Sequence, residues 1–190
     1  MPGPHQLRHI CRVLAAGGLI AYPAEGVYGL GCDPANPEAV QRLLALKGRS
    51  AGKGLILVAA DMQQLQPWLA PLSDEIYRRL EQSWPGPVTW VVPAASGAPA
   101  LLTGGRDSLA VRVSAHPPCR RLCEAWGGPL VSTSANYHGR PPARSALQVR
   151  RRLGPGVDYV LSGPLGGLVG PTTIRDALDN RVLRAGGIRE

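Results

Sequence analysis

Residues 54–60 read GLILVAA, a continuous apolar run with no alternation of apolar and polar positions. Such a strand is typical of an α/β protein, in which helices cover both faces of the sheet. The capping residue, proline and acid at Asn36–Pro37–Glu38 predict the start of a helix that runs to Gly48. Ser73 predicts the start of another helix, which runs to about residue 83. The apolar strand therefore lies between two helices, the order expected of the α/β class.

The same alternation continues outward in both directions along the chain. Periodicity and turn residues predict further helices at 7–14, 117–126 and 145–153, and further strands at 19–22, 27–31, 88–93, 109–113, 129–133, 158–161, 173–175 and 182–184. No internal repeat or interdomain linker interrupts this pattern, so we expect residues 1–190 to form one domain. The glycine-rich residues 163–170 predict a long, mobile loop.

Composition narrows the class of protein further. A hydrophobic share of 44% and a charged share of 18% are those of an ordinary soluble protein. No apolar run approaches the roughly 18 residues of a membrane span, and the N-terminus does not read as a signal peptide, so we expect a cytoplasmic protein with no membrane contact. Cys119 and Cys123 have helical spacing, which favours core packing over metal binding, and we assign no metal ligand from the chain.

The charge of the chain predicts anionic partners. The formal net charge is +8, with nine arginines against two acids between residues 106 and 152. This balance indicates nucleic acid, nucleotide phosphates or both. Lys47 and Lys53 are the only lysines of the sequence, and both lie in one glycine-rich loop. A compact ammonium on a flexible stem suits a phosphate site.

Several familiar motifs are excluded. The segment Gly48–Gly54 lacks the spacing of a P-loop, and no nucleophile elbow surrounds Ser132 or Ser134. The scattered histidines, including His116 and His138, are more typical of surface positions than of catalysis.

Residues 127–139, GGPLVSTSANYHG, pass from a short apolar strand into three hydroxyls and an amide. Such a row either caps its own loop or holds a polar ligand. Three more segments join a strand to polar or glycine-rich residues, namely 22–31, 47–49 and 110–113. Ligands bind at such places in α/β proteins.

Together these segments resemble the YrdC-like family, the threonylcarbamoyl-AMP synthases of tRNA modification. The most specific part is the paired signature Lys-x-Arg and Ser-x-Asn, present as Lys47/Arg49 and Ser134/Asn136. Supporting motifs are YPxExVYGLG at 22–31, KGLILV at 53–58, WPGPVT at 84–89 and LAVRV at 109–113. The chain is identified as a member of the short, single-domain type.

The resemblance implies a twisted, open, mixed sheet with helices around a large, positively charged concave cavity. It implies a nucleotidyltransferase that joins L-threonine, bicarbonate or CO2, and ATP into L-threonylcarbamoyl-adenylate, releasing pyrophosphate. Mg²⁺ is expected with the ATP. Partner proteins of the threonylcarbamoyl-transfer machinery then deliver the group to tRNA, and tRNA or double-stranded RNA is an expected partner.

The resemblance also implies roles for particular residues. The expected catalytic group is Lys47, Arg49, Ser134 and Asn136. The residues expected at ATP and its phosphates are Lys47, Arg49, Lys53, Ser134 and Arg184. Those expected at threonine are Arg112, Ser132 and Thr172.

One departure from the family pattern concerns threonine. Relatives commonly have threonine where this chain has Ala24, and often a second one at the position of Gly26, so a hydroxyl that could hold the amino acid is missing. Ser132 and Thr172 are the residues that could compensate. A different class of function stays open at this point: a non-enzymatic module of the same fold that binds tRNA or double-stranded RNA through phosphates.

Overall fold

The computed structural model describes residues 1–187. Its six α-helices over these residues are α1 (Pro4–Ala15), α2 (Pro37–Lys47), α3 (Asp74–Glu81), α4 (Ala100–Thr103), α5 (Pro117–Trp126) and α6 (Ala146–Leu153). Short 3-10 turns occupy Ala51–Lys53, Gln66–Trp68 and Gly154–Gly156. No helix within residues 1–187 has both the length and the apolar character needed to cross a membrane.

The strands form one mixed sheet. They are β1 (Ile20–Pro23), β2 (Tyr28–Gly31), β3 (Ile56–Ala59), β4 (Val88–Pro93), β5 (Ser108–Val113), β6 (Leu130–Ser134), β7 (Tyr159–Val160), β8 (Thr173–Asp176) and β9 (Val182–Arg184). Their order in space is β7-β1-β2-β6-β3-β5-β4-β8-β9. Parallel pairs are β1 with β7, β3 with β5, and β4 with β8, and the remaining neighbours are antiparallel. The predicted α/β class with an open mixed sheet is confirmed.

Strand β3 explains why GLILVAA has no polar positions. Leu57 and Ala59 belong to one buried apolar cluster, whereas Val58 and Ala60 belong to a second cluster that also holds residues of α1 and α5. Successive side chains of a strand point to opposite faces, so β3 is buried on both.

The loop that carries Lys53 begins where α2 ends, and Lys47 is the last residue of that helix, so the two lysines do not share one loop as the sequence predicts. Asn36 caps the helix, since its side chain accepts a hydrogen bond from the Ala39 amide at 3.0 Å, and Pro37 occupies the first turn. Gly48, with φ of +58°, ends the helix in the left-handed conformation that glycine adopts without strain. Lys47 thus belongs to the last helical turn, and Arg49 begins the loop.

The glycine-rich loop at residues 163–170 is held down rather than free. Its Gly166 amide donates to the Ala24 carbonyl, and its Leu168 amide donates to the Glu25 carbonyl, each at 3.0 Å. These bonds fix the loop against the turn between β1 and β2, contrary to the mobile loop that its composition predicts.

Candidate functional site: a cation-lined cavity across the sheet

A cavity of about 500 Å³ brings together the segments that the sequence analysis selected. Its walls come from the β1–β2 turn, the 49–54 loop, β5, β6, and the β8–β9 hairpin. The polar and charged side chains lining it are Glu25, Tyr28, Arg49, Lys53, Thr103, Arg106, Ser108, Arg112, Ser132, Thr133, Ser134, Thr172, Asp176, Arg181 and Arg184.

The row of hydroxyls lies on β6, near the middle of the sheet. This strand pairs with β2 on one side, where Ser134 is opposite Gly29, and with β3 on the other, where Ser132 is opposite Ile56. Ser132, Thr133 and Ser134 all line the cavity. The row therefore forms one wall of the cavity. This position agrees with the ligand-binding interpretation of the sequence rather than with loop capping alone.

Lys47 stands behind that wall. Its side chain is buried, and its ammonium donates to the Ser134 carbonyl, to the Asn136 carbonyl at 2.9 Å and to Asn136 Oδ1 at 3.3 Å. Neither Lys47 nor Asn136 is among the cavity-lining residues of 1–187. Burial, together with the positive charge of Arg49, lowers the pKa of Lys47 to about 8. The Lys-x-Arg and Ser-x-Asn segments are thus tied directly to each other.

Arg49 and Lys53 line one end of the cavity. The Arg49 guanidinium donates through Nη2 to the Gly54 carbonyl at 3.0 Å, and burial lowers its pKa. Arg106 joins them by donating through Nη1 to the Gly52 carbonyl at 2.9 Å. Because these partners are neutral carbonyls, the positive charges stay available to an anion.

Arg106 has no assigned role in the sequence analysis. Arg106 is the first of the nine arginines between residues 106 and 152. No sequence pattern distinguishes the arginines of that run that line the cavity from those on the surface.

Arg112 reaches the cavity from inside the sheet, where it is only 4% exposed. Its Nη1 donates to the hydroxyls of Thr89 at 3.1 Å and Thr172 at 3.0 Å, and its Nη2 lies 3.2 Å from Glu25 Oε2. Burial acts to lower the pKa of Arg112, but on balance the pKa is raised, and the charge of Glu25 is the largest of the causes that raise it. Arg112 therefore stays charged in a buried place.

Glu25 is a functional candidate that the sequence analysis missed, because within the 22–31 motif it reads as one polar residue of a turn. Its Oε1 accepts a hydrogen bond from the Ser114 hydroxyl at 2.6 Å, and Ser114 Oγ in turn accepts from the His116 amide at 3.1 Å.

The surface position predicted for His116 is wrong, because its ring is buried and its Nε2 lies 3.1 Å from the Pro164 carbonyl. Burial lowers the pKa of His116, while Glu25 and this carbonyl act in the opposite direction. His138, in contrast, is exposed as predicted.

Arg184 closes the cavity on the side of the β8–β9 hairpin. Its Nη2 donates to the Thr172 carbonyl at 2.8 Å. Burial, with the positive charges of Arg112 and Arg49, lowers the pKa of Arg184. Within residues 1–187 the cavity is lined by six basic side chains and two acidic ones, so its formal charge is positive.

The structure explains what stands near Ala24 and Gly26 in place of the missing hydroxyls. A Cβ atom added to Gly26 would lie 1.9 Å from the Gly170 carbonyl oxygen, far inside van der Waals contact. The glycine-rich loop thus occupies the space that a side chain at residue 26 would need. Thr172, two residues beyond Gly170, lines the cavity, and its hydroxyl accepts a hydrogen bond from Arg112 at 3.0 Å.

This geometry defines a class of protein: an α/β protein with an open mixed sheet and a cavity lined by basic side chains and hydroxyls. Within residues 1–187 no group of three His, Cys, Asp or Glu side chains could hold a metal ion. The Sua5/YciO/YrdC family model, described as "Telomere recombination", matches residues 12–186, and the chain belongs to this family.

Similar proteins agree with that membership. A threonylcarbamoyl-AMP synthase of Halorhodospira halophila is 55% identical over 181 residues, covering 95% of each chain. The structure of P. abyssi Sua5 complexed with L-threonine superposes with a TM-score of 0.92 at 31% identity, covering 98% of this chain and 56% of that one. E. coli YciO gives a TM-score of 0.87 at 27% identity, covering 100% and 93%. The predicted YrdC-like membership is confirmed.

Proposed function

We propose that this chain is a threonylcarbamoyl-AMP synthase, a nucleotidyltransferase that makes L-threonylcarbamoyl-adenylate from L-threonine, bicarbonate or CO2, and ATP, for modification of tRNA. The high identity to curated synthases over nearly the whole chain supports it. The observation that carries the proposal is the single hollow that joins the cationic 49–54 loop, the hydroxyls of β6 and the buried Arg112.

The proposed reaction brings negative charges together. The amine of threonine, in its neutral form, adds to CO2 and releases one proton to give a carbamate. A carbamate oxygen then attacks the α-phosphorus of ATP, and pyrophosphate leaves with the electron pair of the broken P–O bond. One positive group about 4 Å away contributes on the order of 4 kcal/mol at an effective dielectric constant near 20. Charge compensation and positioning therefore matter more here than a protein nucleophile.

For the nucleotide, we assign Arg49, Lys53 and Arg184 to the phosphates, with the Ser134 hydroxyl donating to a phosphate or carbamate oxygen. Arg49 suits a bidentate contact because its guanidinium is planar. Lys47 and Asn136 act through position, since the Lys47 ammonium holds the backbone around Ser134 in place.

For threonine, we assign Arg112 to the carboxylate and the hydroxyls of Ser132 and Thr172 to the remaining polar atoms. Thr172 and Arg112 are already hydrogen-bonded, which presents them as one preformed surface. This surface replaces the hydroxyl that is missing at Ala24.

We propose that Mg²⁺ arrives with ATP. Within residues 1–187 the cavity has only two carboxylates, Glu25 and Asp176, and no group of three side chains that could hold a metal ion. A Mg²⁺ ion held by phosphates and water fits such a site, since this ion keeps much of its hydration shell. When bound, it offsets part of the triphosphate charge.

We propose tRNA as a macromolecular partner, with partner proteins that carry the activated group to it, and hence a cytoplasmic location. No acid occurs between Glu124 and Asp158, and in this interval α6 and the preceding loop carry exposed arginines, among them Arg140 and Arg151. Such a surface suits RNA phosphates. An RNA-binding surface is compatible with the proposed enzyme activity. A non-enzymatic RNA-binding module would give the preformed cavity no function.

Pyrophosphate release tests the proposed activity. With ATP present, release should require both L-threonine and bicarbonate, and omission of either should return the rate to background. Release from ATP alone at a rate that threonine does not change would contradict the proposal.

A further inference from the structure

Glu25 and Asp176, the two carboxylates that line the cavity within residues 1–187, differ in their partners. Glu25 lies 3.2 Å from the guanidinium of Arg112, whereas Asp176 forms no ion pair within residues 1–187. Both Glu25 and Arg112 are more than nine-tenths buried. This part of the cavity therefore presents a fixed positive and a fixed negative charge side by side.

Glu25 is held firmly in this arrangement. Its Oε1 is fixed by the Ser114 hydroxyl, which the His116 amide orients. Its Oε2 faces Arg112 but accepts no well-aligned hydrogen bond from residues 1–187. A buried carboxylate oxygen without a donor is costly, so this atom has capacity for a further donor or positive charge.

The opposite end of the cavity differs in its electrostatics. The guanidinium groups of Arg49 and Arg106 are held by neutral backbone carbonyls. An anion at that end meets uncompensated positive charge. At the Arg112 end Glu25 offsets the charge of Arg112. An anion there meets only the positive charge of Arg184, which donates to the Thr172 carbonyl, and its attraction is weaker than at the opposite end.

We propose that Glu25 is a specificity-determining residue, which makes the Arg112 end of the cavity select a zwitterionic amino acid over a plain carboxylate or phosphate. The inference rests on the proposed function, since it takes threonine as the ligand at this end. Arg112 attracts the carboxylate of the amino acid, and Glu25 favours its ammonium. By the same charge, Glu25 keeps triphosphate oxygens at the opposite end.

The test compares two ligands that differ only in the amino group: L-threonine and (R)-3-hydroxybutanoate. Their affinities are measured by titration calorimetry, with α,β-methylene-ATP bound, for the wild type, Glu25→Gln and the matched control Asp176→Asn. The wild type should prefer threonine by a factor of at least about ten, from the charge of one carboxylate near one ammonium. Glu25→Gln should lose most of that preference by binding threonine more weakly, while its affinity for 3-hydroxybutanoate stays unchanged or rises. Asp176→Asn should keep the preference.

A merely structural role gives a different result. If Glu25 only positions Arg112, both ligands weaken together and the preference is unchanged, which overturns the inference. A wild type that binds 3-hydroxybutanoate as tightly as threonine also overturns it, whether or not Glu25→Gln folds. A wild type that binds no threonine contradicts the proposed function itself.

Discussion

At the scale of single residues, the cations of the site differ in what holds them. Arg49 and Arg106 donate hydrogen bonds to neutral carbonyls, and Arg112 is paired with a buried carboxylate. The Lys47 ammonium donates to the backbone of the 134–136 segment. The role of each cation follows from its partner. Arg49 and Arg106 can bind phosphate, and Arg112 suits an amino acid. Lys47 fixes the shape of the cavity wall that β6 forms.

Substitution of Lys47 by alanine should lower the rate of threonine-dependent pyrophosphate release at least about tenfold, because the buried carbonyls of Ser134 and Asn136 lose a charged donor. The matched control is Arg78→Ala, which removes an exposed cation of α3 that does not line the cavity. A Lys47→Ala rate close to that of the control would contradict the assigned role.

The pKa of Lys47 gives a pH dependence with a definite sign. Burial, with Arg49, lowers this pKa from 10.5 to about 8, so between these values the folded protein binds fewer protons at Lys47 than the unfolded chain. Burying the ammonium therefore costs stability below pH 8, and this cost is relieved as the pH rises toward 10.5. The free energy of unfolding of the wild type, measured in urea relative to that of Lys47→Met, should increase from pH 8 to pH 10. A difference that stays flat or falls would contradict the lowered pKa.

At the scale of elements, the glycine-rich loop and the β1–β2 turn behave as one unit. Two backbone hydrogen bonds and the contact of Gly26 with Gly170 join them, and Thr172 follows directly. The position of a threonine-binding hydroxyl thus depends on a glycine in another element.

Replacement of Gly26 by alanine should displace the loop, because the new Cβ would meet the Gly170 carbonyl oxygen at 1.9 Å. Overpacking of this kind typically costs about 1–3 kcal/mol of stability. Hydrogen exchange at the amides of Gly166 and Leu168 should become faster. Gly128→Ala is the matched control, since its added Cβ meets nothing closer than 3.9 Å. Unchanged exchange at both amides in Gly26→Ala would show that the turn does not hold the loop.

The elements that local signals specify could be predicted from the sequence. Helix α5 runs from Pro117 to Trp126 as expected, because proline begins it and Gly127 ends it with φ of +82°. The four-residue α4 is absent from the prediction, since a helix so short shows no apolar periodicity.

The site was only partly predictable. Strand-end motifs indicated the cavity walls, but the direction in which Lys47 points depends on partners 87 and 89 residues away, and Glu25 lies in a turn whereas its partner Arg112 lies on β5. No local pattern encodes such contacts. The burial of His116 was missed for the same reason, because the loop that covers it comes from residues 163–170.

At the scale of the whole molecule, the positive charge serves two surfaces, the cavity and the outer face near α6. They can be separated experimentally, because the exposed side chains of Arg140 and Arg151 do not line the cavity.

Replacement of both Arg140 and Arg151 by glutamine should weaken tRNA binding and leave synthesis of the adenylate intact. The slope of log K against log salt concentration should decrease in magnitude by about 2, roughly one unit for each lost phosphate contact. Filter binding over a range of salt concentrations measures this slope. An unchanged slope would place the RNA on another surface.

The most direct measurement is to incubate the protein with ATP, L-threonine and ¹³C-bicarbonate and to examine the nucleotide products by mass spectrometry. The structure brings cations, hydroxyls and a buried arginine into one cavity, so we expect an adenylate that contains threonine and one ¹³C atom. Lys47→Ala should yield much less of it. Pyrophosphate and AMP without any ¹³C-labelled adenylate would contradict the account.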